Sequence, residues 1–211
     1  RAAERGLARR SGAKGEGEPP SRLAPAPPVI RLGTVAVTPP PGAFLQATTD
    51  AEAALQQAVA GIVGGASRVT DLFAGCGTLG LPLLKSLSKL TAAESDTAAL
   101  AAMKAAVDAA GLGARLDCIE ADLMRAPLTA DLFGDVEAVI IDPPRAGASA
   151  QCEILATTAV PAIAMVSCNP ASFARDAAIL VAGGYRPTSL QIIDQFRFSS
   201  HVEIVAGLER G

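Results

Sequence analysis

Two patterns of apolar residues alternate along the chain from residue 50 onwards. Short apolar runs predict β-strands in the segments 68–74, 89–95, 115–121, 136–144, 162–168, 185–196 and 201–210. Apolar residues at helical spacing predict helices over 50–63, 78–88, 96–111, 150–158 and 170–184. Strands that alternate with helices indicate an α/β fold with a mostly parallel sheet covered on both faces. The last two strands have no helix between them, which predicts one antiparallel strand at or near the sheet edge.

Three local features refine these elements. Asp50 is a candidate N-cap of the first helix. The helix predicted over 78–88 contains Pro82, which is tolerable only because it lies near the first turn. The segment 29–37 is apolar enough to form one short additional strand.

Residues 1–28 differ in composition from the rest of the chain. They are rich in Pro, Gly, Ala and charged residues, a composition that cannot bury a core, so we expect a flexible linker or arm. Residues 29–211 are expected to form one domain, because half of the 211 residues are hydrophobic. Only 3% are aromatic, so that core is built from Ala, Leu, Val and Ile.

Charge and cysteine usage exclude several classes of protein. Residues 1–31 carry a net charge of +4 and the remainder −7, so the body does not bind nucleic acid through bulk charge. The four cysteines are too widely spaced for a zinc site or a secreted disulfide framework, and we interpret them as thiols of a cytoplasmic protein. No apolar run reaches the roughly 18 residues of a membrane span, and no signal peptide is visible.

A glycine-rich turn, Gly75-x-Gly77-x-x-Gly80, follows the strand predicted over 68–74. Glycines at such a turn let the backbone approach a ligand, and the N-terminus of the following helix supplies free N–H groups. The pattern occurs in dinucleotide-binding proteins and with other adenosine cofactors. By itself it is also compatible with a merely tight turn between a strand and a helix.

Acidic residues follow the next two predicted strands. Glu94 lies 19 residues after Gly75, where a carboxylate can accept hydrogen bonds from both ribose hydroxyls of an adenosine, and Asp96 is an equal candidate. Asp122 follows the strand after that, where it either contacts the adenine amino group or caps the next turn. Together with the glycine turn, these acids indicate a site for an adenosine cofactor.

Two further motifs follow the next pair of strands. In "IDPPR", two prolines stiffen the loop and hold Asp142 at the edge of the cofactor cleft. In "SCNP", Cys168 ends an apolar strand, which is usual for a buried small residue. A helix begins directly after Cys168, however, and its dipole favours a thiolate. The other cysteines, Cys76, Cys118 and Cys152, lack this combination and are interpreted as structural.

The last motif, "DQFRFSSHVE", contains His201 and Glu203. Residues two apart in a strand point to the same side, so both side chains can address one site. A lone histidine in a strand is more often a structural residue than a base.

Seven segments carry a resemblance to a known family. They are PGAFLQ, DLFAGCGTLGLPL, AAESD, EADL, IDPPRAG, SCNPASFARD and DQFRFSSHVE, in this order between residues 41 and 203. The set resembles the RNA uracil-C5 methyltransferases, which form 5-methyluridine in transfer and ribosomal RNA with S-adenosylmethionine. DPPR followed by SCNP and then HVE is specific to that family, whereas the glycine turn is not.

The resemblance implies a Rossmann-like class I methyltransferase fold with a mostly parallel seven-stranded sheet. It implies that Cys168 is the nucleophile that adds to carbon 6 of uracil and that Glu203 is the general base. With the two turn glycines, the cofactor-binding residues are then Gln46, Phe73, Gly75, Gly77, Thr78, Glu94, Asp122 and Asp142. The implied cofactor is S-adenosylmethionine, the implied substrate is tRNA or rRNA, and neither a metal nor a protein partner is implied.

The chain also departs from the family. Family members usually carry Asn where Thr78 stands. Many of them have a small β-barrel RNA-binding domain and further central sequence, sometimes with a cysteine-bound iron–sulfur cluster. Neither appears here, so we expect residues 29–211 to be a catalytic domain alone. Three alternatives stay open: another class I methyltransferase acting on an amino group or on cytosine, a dinucleotide oxidoreductase, and a cofactor-binding fragment that is inactive without its RNA-binding part.

Overall fold

A computed structural model describes residues 27–194 and 202–211. Its elements in chain order are β1 (Ile30–Leu32), β2 (Val35–Val37), α1 (Thr49–Val63), β3 (Arg68–Leu72), β4 (Lys89–Glu94), α2 (Thr97–Ala109), β5 (Leu116–Glu120), β6 (Ala138–Ile141), α3 (Ser149–Ala156), β7 (Ala162–Ser167), α4 (Pro170–Ala182), β8 (Tyr185–Ile193) and β9 (Glu203–Arg210). Most of the segment predicted as an arm lies outside the described residues. None of the described helices is long and apolar enough to cross a membrane.

Strands β3 to β9 form one seven-stranded sheet in the order β5-β4-β3-β6-β7-β9-β8. The first five strands of this order are parallel, and β9 is antiparallel to both β7 and β8. The predicted Rossmann-like fold and the antiparallel strand near the edge are therefore confirmed. Because parallel strands place their carboxyl ends at one edge of the sheet, the loops after β3, β4, β5, β6 and β7 meet there.

Helices cover both faces of the sheet, as the alternation of elements predicts. The central strand β6 is buried along its whole length, with Ile140 in one apolar cluster and Val139 and Ile141 in the other. The first cluster contains α1 and α2, and the second contains α3 and α4. Burial on both faces explains why β6 reads as a continuous apolar run instead of an alternating one.

Three predicted details of the fold are wrong. The N-cap of α1 is Thr48, whose hydroxyl accepts a hydrogen bond from the Ala51 amide at 3.2 Å, and Asp50 lies in the first helical turn. The segment 29–37 is a two-stranded hairpin, β1–β2, that turns at Gly33. Residues 78–88 contain no α-helix, but turns and one 3-10 turn at Leu81–Leu83.

The missing helix has a local cause. Pro82 has no amide hydrogen to donate, and glycines precede it at positions 77 and 80, where helix is disfavoured. The chain forms the tighter i to i+3 bonds instead, from the Leu83 amide to Gly80 and from the Leu84 amide to Leu81. No α-helix N-terminus therefore points from this segment towards the ligand-binding edge, contrary to the expectation from the glycine turn.

The hairpin β1–β2 contacts this irregular segment through its turn. Gly33 has a φ of +61°, and a Cβ added there would lie 2.9 Å from the Pro82 Cα. Gly65, which follows α1, has a φ of +88° and nothing within 4 Å of an added Cβ. The two glycines thus share the left-handed backbone and differ in what surrounds them.

We predict that Gly33→Ala destabilises the protein more than Gly65→Ala. Both variants carry the cost of a left-handed alanine, about 1–2 kcal/mol, and only Gly33→Ala adds a collision with backbone, worth roughly another 1–3 kcal/mol. The measurement is the free energy of unfolding in urea for both variants. Equal losses would show that the hairpin is not held against Pro82.

Candidate active site

A cavity of about 540 Å³ opens at the edge of the sheet where the parallel strands end. This volume is in the usual range for small-molecule sites. Nine of the ten residues predicted from the sequence line it, namely Gln46, Phe73, Gly75, Thr78, Glu94, Asp122, Asp142, Cys168 and Glu203. The fold thus brings together residues that lie as far apart in the sequence as 46 and 203.

Gly77 is the predicted residue that is absent from the described lining of the cavity. It is buried, and a Cβ added to it would lie 2.5 Å from Cγ of Leu81. Its amide donates to the carbonyl of Ala74 at 2.8 Å. In the absence of a ligand, Gly77 therefore serves the turn and its packing.

The backbone amides of the glycine turn are engaged within the protein. The Gly75 amide donates to Glu94 Oε2 at 2.9 Å, in addition to the bond from Gly77 to Ala74. A pyrophosphate needs free amides and, usually, a helix N-terminus behind them. The turn provides neither at these two positions, which argues against a dinucleotide.

Glu94 connects the end of β4 to the loops on either side of it. In addition to Gly75, its Oε1 accepts from the amides of Ser95 and Asp96 at 2.7 and 2.9 Å. The Ser95 hydroxyl donates to the same oxygen at 3.0 Å. Among the described residues, Oε2 accepts one hydrogen bond, that from the Gly75 amide, and a carboxylate oxygen can accept two. This oxygen keeps acceptor capacity towards the cavity.

The other two acids near the ends of β4 and β5 have structural duties as well. Asp96 caps α2 by accepting from the amides of Ala98 and Ala99. Asp122 Oδ1 accepts from the Met124 amide at 3.1 Å, so it does cap the following turn. Both side chains also line the cavity, so the capping role of Asp122 does not exclude a ligand contact.

Phe73 has the most unusual backbone conformation of the site. Its φ is +62°, and it is the one non-glycine residue of the described segments with a positive φ. A bulky residue in this conformation is strained by roughly 1–3 kcal/mol and persists only where its surroundings enforce it. Here this conformation redirects the chain from β3 into the glycine turn, which lines the cavity.

The antiparallel register of β9 places Glu203 beside Cys168. Val166 pairs with Val205 and Ser167 with Ile204, and one further step along this register brings Cys168 opposite Glu203. Side chains directly opposite each other lie on the same face of a sheet, with Cβ atoms about 4.5–5.5 Å apart. His201, the other predicted member of this group, lies outside the described residues.

The charges around Cys168 do not favour a thiolate in the ligand-free protein. Burial raises the pKa of the Cys168 thiol, and the carboxylates of Glu203 and Asp142 raise it further. Arg145 and a backbone hydrogen bond lower it by less. Desolvation and the two acids thus oppose the thiolate that the dipole of α4 favours.

Asp142 itself is an unusual carboxyl group. Burial, followed by the charge of Glu203, raises its pKa to about 7. Although part of the side chain is exposed to the cavity, the charged form loses most of its hydration there. A carboxyl group with a pKa near neutrality exchanges protons readily under physiological conditions.

Sequence reasoning missed Asp71, the most deeply buried acid of the cavity. It is 1% exposed, and its Oδ2 has no hydrogen-bond partner among the described residues. Burial, the charge of Asp142 and the charge of Glu94 raise its pKa to about 8, with the Gly80 amide opposing them. The available signal was an acid inside the apolar run "RVTDLFA", where a charge is costly.

The cavity as a whole is strongly acidic. Within the part of the chain that the structure describes, one guanidinium, that of Arg145, lines it together with six acids, namely Asp71, Glu94, Asp96, Asp122, Asp142 and Glu203. Such a lining repels anions and attracts ligands that carry positive charge. This balance distinguishes the site from a phosphate-binding one.

The remaining cysteines differ from Cys168 in their surroundings. Cys152 is fully buried in the apolar cluster beneath α3, where burial raises its pKa to about 12. Cys76 lines the cavity but is 2% exposed, and burial raises its pKa too. Cys118 is exposed on β5.

Comparison with known proteins identifies the family. A family model described as tRNA (uracil-5-)-methyltransferase matches residues 129–210. An uncharacterized RNA methyltransferase of Mesorhizobium japonicum is 47% identical over 89% of the chain and 45% of its own length. The chain belongs to the RNA uracil-C5 methyltransferase family. The region matched by the model contains the DPPR, SCNP and HVE motifs.

Two characterised members of the family are also similar to the chain. The 23S rRNA (uracil(1939)-C(5))-methyltransferase RlmD of Pseudomonas putida is 36% identical, over 94% of the chain and 45% of its own length. The crystal structure of the Pyrococcus abyssi tRNA (uracil-54, C5)-methyltransferase in complex with S-adenosyl-L-homocysteine superimposes with a TM-score of 0.73 at 29% identity, covering 85% of this chain and 43% of that one. The chain thus spans less than half the length of these family members.

The buried acids predict a pH dependence of stability. Because the folded-state pKa of Asp71 and of Asp142 lies above the ordinary value, the folded protein binds more protons than the unfolded chain between about pH 4 and pH 8. The free energy of unfolding must then fall as the pH rises through this window. Each group contributes at most about 1.4 kcal/mol per pH unit.

We predict that Asp71→Asn flattens this dependence and stabilises the ligand-free protein at pH 8. The exposed Asp131 supplies the control variant Asp131→Asn, which should retain the wild-type slope. The measurement is the free energy of unfolding of all three proteins from pH 5 to pH 8. An Asp71→Asn slope that equals the wild-type slope would contradict the proposed burial of this charge.

Proposed function

We propose that this chain is the catalytic domain of an S-adenosylmethionine-dependent enzyme that methylates carbon 5 of a uridine in tRNA or rRNA through a covalent cysteine adduct. The observation that carries the proposal is the register that sets Cys168 opposite Glu203 in a cavity rich in carboxylates. The names of the similar proteins support the reaction. The S-adenosyl-L-homocysteine complex of the Pyrococcus abyssi enzyme supports the cofactor.

The residues of the cavity fit this cofactor on chemical grounds. S-adenosylmethionine carries a sulfonium and an ammonium group, and its net charge is positive. Oδ2 of Asp71 has no hydrogen-bond partner among the described residues, and a cationic group beside it would stabilise the charged form of this buried carboxyl, whose pKa is raised to about 8. Glu94 Oε2 retains an acceptor position for a ribose hydroxyl. Asp122, which also lines the cavity, would contact the adenine amino group.

The cofactor supplies an electrophilic methyl group, and the protein must make carbon 5 of the uracil nucleophilic. The Cys168 thiolate adds to carbon 6, which moves electron density onto carbon 5 and its enolate oxygen. Once carbon 5 carries the methyl group, Glu203 removes the remaining proton from that carbon. The electron pair of the carbon–hydrogen bond restores the ring double bond, and the thiolate leaves carbon 6.

The target uridine has to leave its stack or loop to reach this cavity. Phe44, 75% exposed, and Met124, 46% exposed, stand at the mouth of the cavity. The body of the chain carries net negative charge, so most of the grip on the RNA phosphates is expected from outside residues 32–211.

We predict that Cys168→Ala abolishes methyl transfer and leaves the affinity for S-adenosylhomocysteine nearly unchanged. The test incubates the protein with methyl-labelled cofactor and RNA that lacks the modification, and then maps the labelled nucleotide. Cys118→Ala, which alters an exposed cysteine outside the cavity, should keep wild-type activity. Methylation retained by Cys168→Ala would exclude this residue as the nucleophile.

For Glu203→Gln we expect a covalent protein–RNA adduct to accumulate. The substitution removes the base that resolves the adduct, and it also removes a charge that raises the pKa of Cys168. The adduct is detected as a shifted band on a denaturing gel. Glu209→Gln, an exposed change near the other end of β9, serves as the control without adduct, and wild-type turnover by Glu203→Gln would rule out Glu203 as the base.

A further inference from the structure

One conspicuous part of the sequence has no role in the reaction described above. The motif "SCNPASFARD" supplies Cys168, but its second half, up to Asp176, lies in α4, outside the cavity lining. Asp176 is 0% exposed although it is charged. A fully buried acid on a helix whose other buried residues are Ser172 and Leu180 calls for an explanation.

The side chains of this helix face hold the loop that carries Asp142 and Arg145. Asn169 Nδ2 donates to the carbonyl of Arg145 at 2.9 Å. Arg175 donates to the carbonyl of Ala146 at 2.8 Å. Asp176 Oδ2 accepts from the amide of Ala148 at 2.6 Å. Three backbone groups of one loop are therefore bound by three side chains from the N-cap and the N-terminal half of α4.

The loop depends on these partners because it has few of its own. Pro143 and Pro144 have no amide hydrogen, so the loop cannot donate from either position. Ala148, at the N-cap of α3, offers no side-chain cap to that helix. The Asp176 carboxylate binds an amide that would otherwise remain unsatisfied at this helix start.

Arg175 and Asp176 also act as a unit. The Arg175 guanidinium bonds to Asp176 Oδ1 through Nε at 2.8 Å and through its Nη2 at 2.7 Å, while the same Nη2 holds Ala146. Gly147 lies so close that an added Cβ would be 2.4 Å from both side chains. The loop therefore fits directly against this ion pair.

We propose that Arg175 and Asp176 are positioning residues that fix the loop bearing Asp142 and Arg145 against Cys168. Cys168 precedes the N-cap of the same helix, and Asp142 is the first residue of the loop that links β6 to α3, so the ion pair connects the nucleophile to the acid and the guanidinium that face it. This inference rests on the proposed function. It adds that the second half of the motif sets the geometry of the reacting groups.

The test compares Arg175→Ala with Arg115→Ala. Arg115 also donates from its guanidinium to backbone carbonyls of a loop, those of Lys85 and Leu87, both at 2.8 Å, but far from Cys168 in the sheet. If both arginines merely stabilise loops, both variants lose a little thermal stability and retain their rates. If Arg175 positions the site, its loss lowers kcat for methyl transfer about 10- to 100-fold. The affinity for S-adenosylhomocysteine should change less than about threefold in both variants.

A second readout does not require methyl transfer. Iodoacetamide alkylates the Cys168 thiolate, and the dependence of this rate on pH reports the environment set by Asp142, Arg145 and Glu203. In Arg175→Ala the loosened loop should shift the pH midpoint of alkylation at Cys168 downwards, since burial and Asp142, which raise the pKa of the thiol, outweigh Arg145, which lies on the same loop and lowers it. Arg115→Ala should retain the wild-type midpoint. Mass spectrometry assigns the alkylated cysteine.

The two readouts separate the two proposals. If the wild-type protein methylates no RNA, the proposed function fails, and the alkylation midpoint still decides whether Arg175 fixes the loop. Arg175→Lys keeps the positive charge but loses the bidentate fork that bonds Asp176 and Ala146, so it should recover only part of the rate and of the midpoint. A rate and a midpoint that are the same in Arg175→Ala as in Arg115→Ala would overturn the inference. Asp176→Ala, where it folds, should show the larger effect, because it leaves the Ala148 amide without an acceptor.

Discussion

The crowding of carboxylates at one edge of the sheet is the constraint on which the rest of the site depends. Parallel strands deliver Asp71, Glu94 and Asp142 to the same cavity, and the antiparallel β9 adds Glu203 from the other direction. Each acid is held there by its own strand, so the charges cannot separate to relieve their repulsion. Burial and this repulsion raise the pKa values of Asp71 and Asp142, so both carboxyl groups tend to keep their protons. The same crowding of acids makes the cavity suited to a cationic ligand and makes the stability of the protein fall as the pH rises.

Some parts of the structure could be predicted from the sequence because they depend on local patterns. Apolar periodicity determines the strands of the sheet well, since β6 and β7 are buried on both faces and helices pack on each side. The association of Cys168 with Glu203 was implied by the family resemblance, and the register of β7 with β9 supplies a physical reason for it. The strands are local features, and their burial leaves a signature in the apolar pattern of the sequence.

Other features depend on competition between neighbours and leave no such signature. Thr48 and Asp50 are both good capping residues. Thr48 is the N-cap because its backbone is extended and its side chain accepts from the Ala51 amide, whereas Asp50 lies within the helix. Residues 78–88 have enough leucines for a helix, yet Pro82 and the glycines before it favour 3-10 turns. The significance of Asp71 arises only when other strands bury it and bring Asp142 close. The thiol at Cys168 illustrates the same limit, because the helix dipole is visible in the sequence whereas the opposing charge of Glu203 comes from another strand.

The raised pKa of Cys168 also bears on the order of events in the proposed reaction. Burial raises the pKa of the thiol, the carboxylates of Glu203 and Asp142 raise it further, and a protonated thiol adds poorly to a pyrimidine. A ligand that brings positive charge into the cavity lowers the pKa of every acid and of the thiol that it approaches. Such a ligand therefore compensates the charges that suppress the thiolate. Under the proposed function, a bound cofactor would favour the thiolate that adds to the uracil. The rigid loop held by Arg175 and Asp176 then has a clear purpose, since this electrostatic coupling works only while Asp142 and Arg145 keep their distance from Cys168.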